Sequence, residues 1–171
     1  MHSGQNIASA LQQNAVRRGA HPAIVEGKRT YTYDSLDQQV RQIADYLVTL
    51  GAGEGTLVGV CLKDSAEHLM INYAVARIGA IILPLDWRWT EAEIRNVCHY
   101  FEVTVLLMEA GTSLSDLPCI ETGTAWQAGV AEQSGSRPCA PGGSRPVVLS
   151  LSSGTTGRPK GPLLTHDQFT A

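Results

Sequence analysis

Apolar positions along this chain recur with two alternating periods, and the alternation predicts its architecture. Ile7, Ala10, Leu11 and Ala15 share one helical stripe within 7–16, with Gly19 placed as a cap. Ala23-Ile24-Val25 and Thr30-Tyr31-Thr32-Tyr33 flank Glu26-Gly27-Lys28-Arg29, the pattern of a hairpin. Leu36, Val40, Ile43, Ala44, Leu47 and Leu50 then trace one face of a helix that stops at Gly51. Residues 57–62 form a short apolar run without polar alternation, which predicts a strand buried on both faces. A helix is predicted over 66–78 and a strand over 80–83. Thr90 and Glu93 have the spacing of a capping box ahead of the stripe Ile94, Val97, Cys98 and Phe101. Another strand follows over 103–108. Strand and helix therefore alternate, which predicts an α/β fold: an open, mostly parallel sheet with helices on both faces.

The pattern breaks over 111–146, a stretch rich in Gly, Ser and Pro with one short helical possibility at 125–131. It reads as a mobile loop between an α/β section (1–110) and a closing section (147–171). In the closing section, Val147-Val148-Leu149-Ser150-Leu151 reads as a buried strand. It empties into Ser152-Ser153-Gly154-Thr155-Thr156-Gly157-Arg158-Pro159-Lys160-Gly161. Thr165 and Gln168 then form a second capping box, so a helix should begin there. A helix start this near Ala171 reads as part of a larger domain.

The run 152–161 has the chemistry of a polyphosphate grip. Glycines let backbone N–H groups approach an anion closely, because no Cβ stands in the way. Ser152, Ser153, Thr155 and Thr156 add neutral donors, while Lys160 and Arg158 add positive charge. The spacing is not that of the common NTPase loop, since the position five residues after Gly154 is Pro159 and not glycine. No Gly-x-Gly-x-x-Gly follows a strand either.

Every position of 152–161 fits the phosphate-binding signature of the adenylate-forming (AMP-binding) superfamily, which this chain resembles. That superfamily takes in acyl-CoA synthetases, peptide-synthetase adenylation domains and luciferases. The resemblance extends upstream through Thr30-Tyr31-Thr32-Tyr33-Asp34-Ser35-Leu36, Gly51 to Val60, and Gly79-Ala80 leading to Leu83-Pro84-Leu85. Thr56 stands where the family usually has Asp. Downstream, Thr165-His166 matches a Thr-His pair. Pro162 departs from the pattern: it lacks a backbone donor, so the local pairing survives only if Pro162 sits at the very start of a strand.

The resemblance implies ATP-dependent activation of a carboxylic acid, followed by thioester formation with coenzyme A. Ser152, Ser153, Gly154, Thr155, Thr156, Gly157 and Lys160 would hold the ATP phosphates, with Mg2+ bridging those phosphates. No residue here matches a catalytic position. The family's Tyr-Gly-x-Thr-Glu, ribose-binding Asp and late catalytic Lys do not occur in this sequence. The chain therefore reads as the N-terminal portion of an acyl-CoA synthetase, not competent alone. Two alternatives stay open: an adenylation domain that loads a carrier protein, and a non-catalytic structural or interaction relic of the fold. His166 reads either as a residue near the acyl pocket or as an ordinary first-turn residue. Trp87, Trp89 and Trp126 read as core aromatics.

Composition narrows the partners. The chain has 171 residues, 43% hydrophobic and 17% charged, enough apolar content for one core. A net charge of −3 argues against nucleic acid. No apolar run approaches the ~20 residues of a membrane span. Residues 1–6 lack the basic and apolar parts of a signal peptide, so a cytoplasmic location is expected. Cys61, Cys98, Cys119 and Cys139 are scattered without metal-ligand spacing, and Cys61 and Cys98 read as small buried hydrophobes. Unpaired sheet edges are expected to favour self-association.

Overall fold

The computed structural model describes residues 4–152 and 159–170. Its centre is a six-stranded sheet in the order β6-β5-β3-β4-β7-β8, where β3 is Leu57–Cys61, β4 Ile81–Pro84, β5 Val105–Glu109, β6 Cys119–Thr122, β7 Pro146–Leu149 and β8 Leu163–Thr165. Every neighbouring pair is parallel except β7–β8, which is antiparallel. A separate hairpin pairs β1 (Pro22–Glu26) with β2 (Arg29–Thr32) across Gly27, whose φ of 58° suits a residue without Cβ. The open, mostly parallel sheet expected from the sequence is what the chain forms.

Helices cover both faces. On one face α1 (Ile7–Arg18), α2 (Tyr33–Thr49), α3 (Ala66–Arg77) and α5 (Thr124–Ala131) bury Leu11, Val40, Leu47, Ile71, Val75 and Trp126 against Val58, Val60 and Leu107. On the other, α4 (Glu91–Tyr100) packs Ile94, Val97 and Cys98 against Cys61, Leu83 and Leu106. Val58 and Val60 thus face one layer while Cys61 faces the other. A strand in that position has to be apolar throughout, which explains why β3 and β5 show no polar alternation. The capping box of α4 forms in full: Thr90 N–H donates to Glu93 Oε2 at 2.8 Å, and Glu93 N–H to Thr90 Oγ1 at 3.3 Å.

Within 111–146 the short helix allowed at 125–131 forms as α5, while β6 is a strand that the sequence pattern does not predict. Cys119-Ile120-Glu121-Thr122 extends the sheet by pairing in parallel with 106–109 of β5. Its half-buried edge position leaves too few apolar residues to declare a strand in the sequence. The segment after α5 is fastened by polar groups instead of apolar ones. Ser136 N–H donates to Asp45 Oδ2 at 3.0 Å, and Gln42 Nε2 to the Gln133 carbonyl at 3.1 Å. The buried Arg77 donates from Nη2 to the Arg137 carbonyl at 3.1 Å. Such contacts between distant residues leave no periodic trace. The last helix, α6 (His166–Thr170), starts where the Thr165/Gln168 box places it, with Thr165 N–H donating to Gln168 Oε1 at 2.7 Å. Among the described residues no helix is long and apolar enough to cross a membrane.

Candidate functional site

The carboxyl ends of β3, β4, β5, β6 and β7 share one edge of the sheet, the edge where open α/β sheets bind ligands. The run 152–161 leaves β7 at that edge. β7 and β8 form an antiparallel pair with Leu149 opposite Leu163, Val148 opposite Leu164 and Pro146 opposite Thr165. Beyond Leu149 the two arms stay together. Ser150 N–H donates to the Pro162 carbonyl at 3.0 Å, and Ser152 N–H to the Lys160 carbonyl at 2.8 Å. Ser152 Oγ donates to the same carbonyl at 3.1 Å. Of the seven predicted phosphate-binding residues, the structure therefore brings Ser152 and Lys160 together as an antiparallel bridge. Ser153, Gly154, Thr155, Thr156 and Gly157 lie outside the described residues.

Two local features explain the shape of this base. Gly161 packs against the Ser150 carbonyl so closely that a Cβ would overlap it, so the arms can close only with glycine there. Pro162 sits immediately before β8, contributes its carbonyl to Ser150 and needs no donor. The pairing that its missing N–H put in question thus forms with Pro162 at the strand's threshold. The Lys160 side chain is exposed and makes no ion pair among the described residues.

A cleft of about 510 Å³ opens on the same edge, beside Cys61 of β3 and Met108 of β5, with Lys63, Trp87 and Trp89 on its wall. Trp87 is 50% exposed, with Lys63 Nζ 5.1 Å from its ring centroid. The core assignment of the tryptophans is therefore corrected for Trp87. It holds for Trp126, which is 2% exposed, edge-on to Tyr46 and bonded through Nε1 to Glu67 Oε1 at 3.1 Å. Trp87 follows the strand end and not a helical stripe, so periodicity could not bury it. Burial pushes the Cys61 thiol up to about 11, with the Asp86 carboxylate adding to the shift, and burial pushes Cys98 up to about 12. Neither is a thiolate near neutral pH, and both act as packing residues.

His166 is completely buried and stands where β8 turns into α6. Its Nδ1 accepts the Ile7 N–H at 3.2 Å. Burial lowers its pKa from the ordinary 6.5, opposed by the Asp167 carboxylate. Both earlier readings of His166, pocket residue or plain first-turn residue, missed this contact. Nor did the sequence reveal Asn6, which caps α1 by accepting Ala8 N–H at 2.9 Å and donates to the Ala76 and Ala140 carbonyls at 2.7 and 3.1 Å. An Asn just ahead of the first apolar stripe was the available signal.

The profile of the family described as "AMP-binding enzyme" matches residues 11–171 of the chain. The chain belongs to the AMP-binding enzyme family. Phosphinothricin tripeptide synthetase PhsC of Streptomyces viridochromogenes is 28% identical over 170 residues, covering 95% of the chain and 16% of that protein. The fatty acid–[acyl-carrier-protein] ligase ScoC of Streptomyces coeruleorubidus is 27% identical over 178 residues, covering 98% of the chain and 34% of its own length. Among solved structures, the inhibitor-bound N-terminal domain of FACL13 from Mycobacterium tuberculosis superposes with a TM-score of 0.88 at 24% identity, covering 98% of the chain and 46% of that structure. The AMP-binding fold is thus shared over nearly the whole chain, which spans less than half the length of each of these relatives.

Proposed function

We propose that the chain supplies the ATP-phosphate grip of an enzyme that adenylates a carboxylic acid and then forms a thioester. In the first step a carboxylate oxygen attacks the α-phosphorus of ATP and the bond to the β-phosphate oxygen breaks, so pyrophosphate leaves and an acyl-adenylate forms. In the second a thiolate attacks the acyl carbon and AMP leaves. The first step demands positioning and neutralisation of the departing charge. Ser152, Ser153, Gly154, Thr155, Thr156, Gly157 and Lys160 would hold the departing β- and γ-phosphates. Mg2+ would add its charge to those phosphates. The observation that carries this reading is the ten-residue run 152–161, closed at its base by Ser152 and Lys160 on the ligand-binding edge of the sheet.

We take coenzyme A as the acceptor thiol and the cytoplasm as the setting. The second reading, transfer to a carrier protein, is favoured by the name of ScoC, an acyl-carrier-protein ligase. The test is exchange of labelled pyrophosphate into ATP by the protein that contains this chain, dependent on an added carboxylic acid. Lys160→Ala should lower that exchange. ATP binding without any exchange across a panel of carboxylates would instead support the non-catalytic relic. Supplying coenzyme A or a phosphopantetheinylated carrier to the pre-formed adenylate then decides the acceptor.

A further inference from the structure

In the hairpin that brings Ser152 to Lys160, β7 is anchored by the buried Val147 and Leu149, but the β8 arm has few holds of its own. β8 has only 3 residues, lies at the sheet edge, and is preceded by a proline that cannot donate. Both of its flanks are instead tied to the N-terminal segment. On the exit side, Ile7 N–H donates to His166 Nδ1 at 3.2 Å and Gly4 N–H to Asp167 Oδ1 at 3.0 Å. On the entry side, Gly143 N–H donates to the Gln5 carbonyl at 3.4 Å, and Asn6 reaches the Ala140 carbonyl. The two flanks are joined to each other, with His166 N–H on the Arg145 carbonyl at 3.2 Å and Asp167 N–H on the Gly143 carbonyl at 3.0 Å. His166 is the side chain through which the exit side meets the start of α1.

We propose that His166 is a positioning residue for the phosphate loop: by accepting the Ile7 amide it fixes β8, and with it Lys160, in register against β7 and Ser152. The inference rests on the reading of 152–161 as a phosphate grip, but the register claim stands by itself. An imidazole nitrogen accepts a hydrogen bond only while it carries no proton. Nδ1 is therefore bare and the ring neutral, with its proton on Nε2. A side chain of the same bulk without an acceptor would fill the space and lose the tie.

Ile7 offers a clean way to cut it. Ile7 is the first residue of α1, a position where a missing N–H leaves no helical bond unmade and proline is well accepted. Asn6 already has φ −76° and ψ 140°, the extended conformation that a residue before proline requires. Ile7→Pro thus removes the donor and leaves His166 in place. His166→Leu removes the acceptor, and His166→Asn restores one through its amide oxygen. Amide exchange is read at Ser150 and Ser152, whose N–H groups are held by Pro162 and Lys160, and at Leu106, held by the Pro118 carbonyl in the distant β5.

Ile7→Pro and His166→Leu should speed exchange at Ser150 and Ser152 about five- to tenfold, the value of one hydrogen bond. Leu106 should not change, and His166→Asn should return most of the protection. Unchanged exchange at the two serines in Ile7→Pro would overturn the proposal. Equal acceleration at Leu106 would overturn it too, because the contact would then support the fold at large. Inorganic tripolyphosphate binding to the unaltered chain is measured in parallel. If it binds none while the exchange pattern holds, the phosphate reading fails and the register claim survives.

Discussion

The central strands β3 and β5 and the edge hairpin β7–β8 belong to one sheet, yet they are held by different forces. Val58, Val60, Leu106 and Leu107 are enclosed between helical layers, and their position follows from burying apolar surface. In the hairpin β7 still buries Val147 and Leu149, but the β8 arm carries the exposed Leu163 and Lys160 and depends on individual hydrogen bonds and on one glycine contact. Burial is non-directional and tolerant, whereas a hydrogen bond specifies geometry and contributes little net stability. The fold is thus stabilised at its centre and aimed at its edge. A substitution at the centre should unfold the chain, and one at the edge should disable the site while leaving the fold.

The largest effect that sharpens this contrast is at the centre. Leu107→Ala should cost about 2–5 kcal/mol of stability, because its neighbours in the layer of α2 and α3 cannot collapse fully into the space. Denaturant unfolding measures it, and a loss under about 1 kcal/mol would show that the centre is looser than its burial implies. The counterpart at the edge is Lys160→Ala. Removing a charge-assisted phosphate contact should weaken use of ATP by roughly ten- to a hundredfold, about 1.5–3 kcal/mol. The unfolding midpoint should stay unchanged, since the side chain is exposed and unpaired among the described residues. A matching loss of stability would erase the distinction between the regions.

The same contrast decides what the sequence could disclose. β3 and β5 were legible because burial on both faces demands an unbroken apolar run. The helices α2 and α4 were legible from their stripes, and α4 also from Thr90 and Glu93. The run 152–161 stands out in the sequence because glycines and hydroxyls at fixed positions follow a strand, and its proposed role as a phosphate grip rests on that pattern. β6 was not legible, since three half-buried residues and one exposed residue at an edge carry no pattern that differs from a loop. The latch of Gly4 and Ile7 on the β8–α6 junction was not legible either. Its bonds join residues about 160 positions apart and several use backbone groups that every residue has. Trp87 failed for a related reason: hydrophobicity says what a side chain prefers, and a strand end at the ligand edge overrode it.

A smaller effect tests whether local capping belongs with the centre or the edge. Thr90→Ala removes the side-chain half of the α4 capping box, the hydroxyl that accepts Glu93 N–H, and should cost about 1 kcal/mol of stability. No hydrogen bond joins α4 to Ser152 or Lys160 among the described residues, so polyphosphate binding should not respond. A change in binding larger than the change in stability would tie α4 to the site after all.

The smallest effect is a slope with pH, and it tests the hairpin's latch without cutting it. His166 has a folded pKa below its ordinary 6.5, because burial disfavours the imidazolium. Below pH 6.5 the unfolded chain therefore binds this proton more readily than the folded one. The stability owed to neutral His166 is complete above that pH and falls as pH drops from about 6.5 towards the lowered folded value, below which it is flat. The half-buried Glu67 carboxyl works the other way: burial raises it, so the folded state takes up its proton above the ordinary 4.5 and gains as pH falls. Only a difference between proteins isolates the imidazole. His166→Asn keeps the acceptor for Ile7 and cannot titrate, so it should lose the part of the slope that sets in below pH 6.5. Protection at Ser150 and Ser152, taken relative to the intrinsic exchange rate at each pH, should fall with acid in the unaltered chain and stay level in His166→Asn, while protection at Leu106 stays level in both. Parallel pH profiles in the two proteins would mean that the proton on His166 never reaches the phosphate hairpin, and the division between a buried centre and an aimed edge would have to be drawn without it.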